Sequence, residues 1–272
     1  MTEGLKRILV AVLGIPLILS AIWFGKGYFG GLITLVALMG VYEFYTVAME
    51  KNLQPHIWVG MVVTPGFSAG LYFHQYQLMI ALILLGTMLS LGVELVRLNS
   101  RPIENTGITV IGYLYAGLFI TTLIGIRESR VFTSYQDAGI FVIMLFAGVW
   151  VCDTAAYYIG TAFGEHKLHE TVSPNKSVEG AVAGFVGTLI LVSGVYISPL
   201  LPDLSLPMVI FLILAVGIFG QVGDLIESWM KRASDLKDTS SLLPGHGGIL
   251  DRFDSLLLVA PLTYLWCQLN IF

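Results

Sequence analysis

Nine apolar runs dominate this chain, at roughly residues 8–24, 28–49, 57–73, 76–96, 106–126, 138–163, 181–201, 208–227 and 253–271. Each approaches the ~20 residues a helix needs to cross about 30 Å of hydrocarbon. Lipid offers no hydrogen bonds, so a spanning segment must satisfy its own backbone, and for runs of this length the helix is the element that does so. Only 12% of residues are charged, against about 25% in soluble domains. The expected fold is therefore all-α, a polytopic transmembrane helical protein of about nine spans. Pro65 and Gly66 interrupt the third run. The first follows Lys6 and Arg7 as a signal peptide would, but no small-x-small cleavage pattern ends it, so it reads as a retained span.

No long linker, low-complexity tract or internal repeat divides the sequence. Residues 1–272 read as one integral membrane domain, with variable N-terminal spans over 1–137 and catalytic C-terminal spans over 138–272. Placing the N-terminus in the cytoplasm puts eleven of the 14 Lys and Arg residues on the inner side and leaves Lys26, Arg127 and Arg130 outside. With that orientation the acids within or at the ends of spans all fall in inner halves: Glu43, Glu94, Asp153, Glu179, Asp224, Glu227, Asp251 and Asp254. Charge in hydrocarbon is costly and marks functional sites. A polar cavity open to the cytoplasm is the expectation. Cys152 and Cys267, in apolar runs without paired spacing, read as small buried residues.

Residues 224–255 carry ten of the chain's 32 Asp, Glu, Lys and Arg side chains. Asp224, Glu227, Ser228 and Lys231 stand at i, i+3, i+4 and i+7, one stripe of a helix. Asp251, Asp254 and Ser255 repeat the spacing and predict a second stripe on the last helix. Two short acidic stripes suit Mg²⁺, which takes one or two carboxylates together with phosphate and water oxygens. Pairing of these acids with Lys231 and Arg252 at the membrane edge is the alternative. Between the stripes, Gly247 and Gly248 permit close backbone approach and positive φ, so their amides could cradle an anion, or simply form a turn. Lys231, Arg232, Lys237 and Arg252 favour phosphate. No P-loop pattern is present.

Upstream, Asp153 and Tyr157 share a helical face, and Ala155, Ala156 and Gly160 are small enough for tight helix packing. Lys176, in the loop before the seventh run, could bind phosphate or anchor the helix at the headgroups. His166 and His169, at i, i+3 without further ligands, read as solvated.

The run Ser228-x-Met230-Lys231-Arg232-x4-Lys237-Asp238-x-Ser240-x2-Leu243-Pro244-x-His246-Gly247-Gly248-x2-Asp251-Arg252-Phe253-Asp254 resembles the signature of the phosphatidate cytidylyltransferases, or CDP-diacylglycerol synthases, without departure over its 27 positions. Asp153-x-x-Ala156-Tyr157, Ser173-Pro174-x-Lys176-Ser177-x-Glu179-Gly180 and Gly220-Gln221-x-Gly223-Asp224 are similar to the same family. The resemblance covers about residues 140–270. Before that only the hydrophobic spans match, with Glu43 a candidate shared acid.

The resemblance implies that CTP and phosphatidic acid give CDP-diacylglycerol and pyrophosphate. It implies Mg²⁺ dependence, with one or two cations left open, and a homodimer. A bacterial cytoplasmic (inner) membrane is the simplest expectation for a chain this short, and the Lys and Arg count faces the site to the cytoplasm. Its partners would be CTP, phosphatidic acid and membrane lipid, with no nucleic acid. Asp224 and Asp251 would be first metal ligands, with Glu227 and Asp254 secondary. Lys231, Arg232, Lys237 and Arg252 would hold triphosphate or lipid phosphate, with Asp238 beside them. His246 and the Gly247-Gly248 turn would shape the phosphate pocket, and Asp153, Tyr157 and Lys176 would line the lipid or nucleotide side. The rivals are CTP-dependent enzymes of other lipid phosphates or polyprenols, a cation-coupled transporter, and an intramembrane aspartyl protease. The last two fit poorly: no repeats are visible, and cations crowd the acids.

Overall fold

In the computed structural model the described residues are 3–98, 101–202, 204–236, 239–240 and 247–269, with side chains described from residue 12 onward. They are overwhelmingly helical. Six helical stretches are long and apolar enough to cross a membrane: Lys26–Met49, Tyr76–Arg97, Pro102–Arg127, Tyr135–Phe163, Val178–Ile197 and Leu206–Ala233. Three shorter apolar helices, Val12–Phe24, Ile57–Tyr72 and Leu256–Gln268, lie where the other expected spans fall. The chain is an all-α polytopic membrane protein. Its one strand pair among the described residues is a short antiparallel hairpin, β1 (Lys167–His169) and β2 (Ser173–Ser177), which hydropathy alone does not reveal.

The chain packs as two compact units, each made of two separate stretches: Met1–Gly125 with Ala233–Phe253, and Ile126–Arg232 with Asp254–Phe272.

The first unit contains α1 (Glu3–Phe24), α2 (Lys26–Met49), α3 (Ile57–Tyr72), α4 (Tyr76–Arg97), α5 (Pro102–Gly112), a π-helical turn over Tyr113–Leu118, most of α6 (Phe119–Arg127) and the single turn α11 (Leu250–Phe253). Its core joins Val59, Val63 and Phe67 of α3 to Tyr113 of the π turn. α3 continues past Pro65, because proline removes one backbone bond and a packed helix tolerates that loss. Tyr45 of α2 is fully buried and donates its hydroxyl to the Thr109 carbonyl at 2.7 Å. A Cβ at Gly112 would lie 2.2 Å from the Tyr45 ring, and one at Gly60 would lie 2.4 Å from its hydroxyl. Those two glycines therefore admit the ring that wedges α2 against its neighbours.

A second buried polar group lies at the start of α3. His56 Nε2 stands 3.1 Å from Glu94 Oε1, and both side chains are buried. Asn105 donates to the other Glu94 oxygen at 3.3 Å, and Thr109 Oγ1 accepts from the His56 amide at 2.9 Å. His56 precedes the span, and burial pushes its pKa below the ordinary value, with Arg97 adding to the effect and Glu94 opposing it.

The second unit contains α7 (Tyr135–Phe163), the hairpin, α8 (Val178–Ile197), α9 (Leu206–Leu214), a π-helical turn over Ala215–Gly220, α10 (Gln221–Ala233) and α12 (Leu256–Gln268). A capping box opens α7: Ser134 Oγ accepts from Asp137 N, and Asp137 accepts from Ser134 N. α7 and α8 pack through the small residues seen in the sequence. A Cβ at Gly180 would meet the Ala156 carbonyl at 2.7 Å, and one at Gly184 would meet the Cys152 carbonyl at 2.9 Å. This is the close approach that small-xxx-small spacing permits. Cys152 and Cys267 are buried thiols.

Candidate active site

The acidic stripe of α10 belongs to the second unit, and the turn before it sets its direction. The preceding π turn closes its hydrogen bonds one residue later than an α-helix and so rotates the phase of α10. Gln221 fixes that rotation by donating Nε2 to the Gly217 carbonyl at 2.6 Å and to the Ala181 carbonyl of α8 at 3.0 Å. Gly223 then lets the chain cross residues 254–255: a Cβ there would lie 2.6 Å from the Asp254 carbonyl. That crossing puts Asp224 within electrostatic reach of Asp254.

Among the described residues, Asp224, Asp254 and Asp153 interact electrostatically here, with Lys176 as the cation. Lys176 Nζ, delivered by β2, forms an ion pair with Asp224 Oδ2. Ser228 Oγ lies 3.4 Å from Asp224 Oδ1. Asp254, in the turn before α12, accepts from the Ser255 amide at 2.6 Å. Burial, then the charge of Asp224, and more weakly Asp153, push the Asp254 carboxyl up to about 8, with Lys176 opposing. Asp153 is thus within electrostatic reach of Asp254. The hairpin that carries Lys176 is pinned by Glu179, whose Oε1 lies 2.6 Å from His166 Nδ1, and by the Val178 amide donating to the His166 carbonyl at 2.9 Å. His166 is therefore an exposed partner of Glu179.

Lys231 departs from the simplest expectation. Its ammonium lies 2.7 Å from Glu227 Oε2, one turn along α10, and both side chains are largely buried. The structure couples Lys231 to Glu227, while Lys176 faces Asp224. Tyr157 is exposed on α7, packed edge-on against Tyr158. Arg232 and Arg252 are exposed. Lys237, Asp238 and His246 lie outside the described residues.

Asp251 belongs to the first unit and is not on the same helix as Asp254. α11 ends at Phe253, and a turn separates it from α12. The expected second stripe is therefore broken: a single-turn helix cannot carry a repeat that needs a continuous one. Asp251 Oδ2 accepts from Gly248 N at 2.7 Å, Thr239 Oγ1 at 2.9 Å and Thr239 N at 3.1 Å. Gly247 takes the positive φ expected of it, 77°. Gly248 is a close-approach glycine, as expected, but what approaches is protein: a Cβ there would lie 2.0 Å from Thr239 Oγ1 and 2.5 Å from Glu43 Oε2. The amides of 248, 249 and 250 are donated to Asp251 and Glu43, so the anions they cradle are the chain's own carboxylates. Glu43, Thr239, Ser240 and Gly223 were not among the expected site residues. Glu43 carried a signal as a charge inside an apolar run, Ser240 and Gly223 as positions of the family-like segments, and Thr239 none.

Among the described residues no three His, Cys, Asp or Glu side chains form a ready-made metal cage. Magnesium does not need one, since it usually keeps waters and takes substrate phosphate oxygens beside one or two carboxylates. Asp224 and Asp254 offer carboxylate oxygens, the donor chemistry such an ion takes.

The sequence matches the Cytidylyltransferase family over residues 5–270. The chain belongs to that family. It is 32% identical to a phosphatidate cytidylyltransferase of Bacillus subtilis over 273 residues, covering 97% of each chain. It is 40% identical over 141 residues to a protein of the same name from Staphylococcus saprophyticus, covering 51% of this chain and 53% of that one. Over 123 residues it is 43% identical to one from Staphylococcus aureus, covering 45% and 46%. As a cytidylyltransferase the chain is a nucleotidyl-transferring enzyme, and the carboxylates and cations described above are its candidate reaction machinery.

Proposed function

We propose that this chain transfers CMP from CTP to phosphatidic acid, releasing pyrophosphate and forming CDP-diacylglycerol. The observation that carries this reading is full-length similarity to a phosphatidate cytidylyltransferase. The unbroken run of signature residues from Ser228 to Asp254 supports it. A phosphate oxygen of the lipid attacks the α-phosphorus of CTP. The bond from that phosphorus to the bridging oxygen breaks, and pyrophosphate leaves with the electron pair. The attacking oxygen is already anionic, so no strong base is needed. Positioning and charge neutralisation are what the protein must supply.

Lys176, Lys231 and Arg232 offer positive charge to the triphosphate or the lipid phosphate. Lys176 leaves Asp224 for phosphate as substrate arrives. Asp224 and Asp254 are the oxygen donors assigned to Mg²⁺, with Glu227 a further carboxylate on the same helix as Asp224. When bound, Mg²⁺ would neutralise phosphate charge that otherwise repels the attacking oxygen.

The same reading extends to the membrane. All nine apolar helices cross it, the N-terminus is cytoplasmic, and the site faces CTP in the bacterial cytoplasm. The Lys and Arg asymmetry supports this. A homodimer is the assembly that the resemblance implies. The decisive test is purified protein in detergent with labelled CTP and phosphatidic acid, with and without Mg²⁺. Mg²⁺-dependent CDP-lipid is expected, and its absence under every condition removes the reading.

A further inference from the structure

We infer that Glu43, on α2, is a positioning residue for transfer: its carboxylate holds the distant signature segment around Asp251 in its working shape. Glu43 is 1% exposed, inside a helix long and apolar enough to cross a membrane. A lone carboxylate there is so costly that it persists only with compensating partners. Each of its oxygens meets one backbone amide and one hydroxyl. Oε1 accepts from Ile249 N at 2.9 Å and Ser240 Oγ at 2.6 Å. Oε2 accepts from Leu250 N at 2.9 Å, with the Thr239 hydroxyl, donated to Asp251, 3.4 Å away. The two amides open α11, where a helix has donors without internal partners. Glu43 thus caps this turn from about 200 residues away in sequence.

The clasp reaches Asp251 through a shared group. Thr239 Oγ1 stands between the two carboxylates, 2.9 Å from Asp251 Oδ2 and 3.4 Å from Glu43 Oε2. Gly248 must lack a side chain because Glu43 and Thr239 occupy that space. Shifting Glu43 therefore shifts Thr239, Gly248 and Asp251 together. Glutamine cannot replace it. Whichever way the amide turns, its NH₂ faces a backbone N–H, and a hydroxyl can rotate away while an amide N–H cannot.

The effect on turnover rests on the cytidylyltransferase reading; the clasp itself does not. Three measurements test both. In the wild-type protein, hydrogen exchange should show the Ile249 and Leu250 amides strongly protected, and exchange at open-loop rates overturns the clasp. Glu43→Gln should lower kcat by about 100-fold, the scale of a 1 Å misplacement, with KM for CTP changed less than about threefold and with protection lost at 249 and 250. Wild-type kcat in that variant overturns the inference. Ser240→Ala should lower kcat several-fold in the wild-type background and cost nothing further beside Glu43→Gln, because the partner is already gone. Independent, multiplying losses overturn it. If Glu43→Gln does not fold, wild-type exchange decides. If the wild-type protein makes no CDP-lipid, the functional reading fails and the exchange data still judge the clasp.

Discussion

In the unit built from Met1–Gly125 and Ala233–Phe253, Glu43 and Asp251 accept hydrogen bonds from Thr239, Ser240, Gly248, Ile249 and Leu250. In the unit built from Ile126–Arg232 and Asp254–Phe272, the charges of Asp224 and, more weakly, Asp153 act on Asp254, with Lys176 as the opposing charge. The functional group is the same and its circumstances are opposite. Carboxylates surrounded by donors are already neutralised in effect, so they fix backbone shape. Burial first, and the charge of Asp224 second, hold Asp254 toward its neutral form, so a bound cation would favour its charged form. A fold ordinarily satisfies its buried polar groups; where it leaves like charges together, function is the usual reason.

The sharpest way to break the comparison is Asp224→Asn. Turnover should fall at least about 100-fold, the scale of losing a preorganised charge at a reacting centre. The melting midpoint should hold or rise, because repulsion on Asp254 is relieved. Labelled-CTP assays beside thermal unfolding in detergent read both. Near-normal turnover removes Asp224 from the site.

Asp251→Ala is the counterpart. It should lower the midpoint by several degrees as well as slowing turnover, since Gly248 N and Thr239 lose their acceptor at about 1–3 kcal/mol per unsatisfied buried group. An unchanged midpoint would erase the distinction between the two units.

Lys231→Ala tests a third arrangement, a buried ion pair. A loss of at least tenfold in kcat/KM is expected. Removing the cation 2.7 Å from Glu227 should also cost about 3–5 kcal/mol of stability. Lys231→Ala with Glu227→Gln should regain stability without regaining turnover. Recovery of both would make Lys231 purely structural.

A smaller effect is expected at His56. Its pKa lies below the ordinary 6.5 because of burial, so the folded state holds it neutral while the unfolded chain protonates it first. Stability from this residue is complete above that value and declines as pH falls through 6.5 toward the lower folded pKa. The midpoint should drop between pH 7.5 and 5.5, and His56→Gln should flatten that slope. An unaltered slope would assign the acid sensitivity elsewhere. The smallest effect belongs to the exposed pair Lys51–Asp235, 2.6 Å apart, where Asp235→Asn should leave midpoint and turnover within error. For the same reason Asp235→Cys is a benign reporter of sidedness, expected to react with impermeant thiol reagents only from the cytoplasmic face.

Much of this protein is written locally. Hydrophobicity sums over some twenty neighbouring residues, so every expected apolar run coincides with a helix. The small residues Ala156 and Gly160 announced a tight helix contact because the spacing that creates it lies within one turn. The α10 stripe of Asp224, Glu227, Ser228 and Lys231 was legible for the same reason. The second stripe was not, because α11 stops after one turn and nothing in its composition says so.

Partner choice was decided only by tertiary structure. Lys231 is near Asp224 in sequence, yet Lys176 takes Asp224 and Lys231 takes Glu227. Gly247 and Gly248 signalled an approach to an anion, but not that Glu43 and Asp251 would be anions of the chain itself. Glu43 and Leu250 are 207 residues apart. A carboxylate's spacing along one helix says which face it occupies, whereas the donors that meet it come from whichever segment packing brings there. The sequence by itself therefore determined the membrane helices, the family and the residue types of the site. Which acids are satisfied and which are left opposed was decided only when distant segments came into contact, because hydrogen bonds and charge pairs act over a few ångströms of space rather than along the chain.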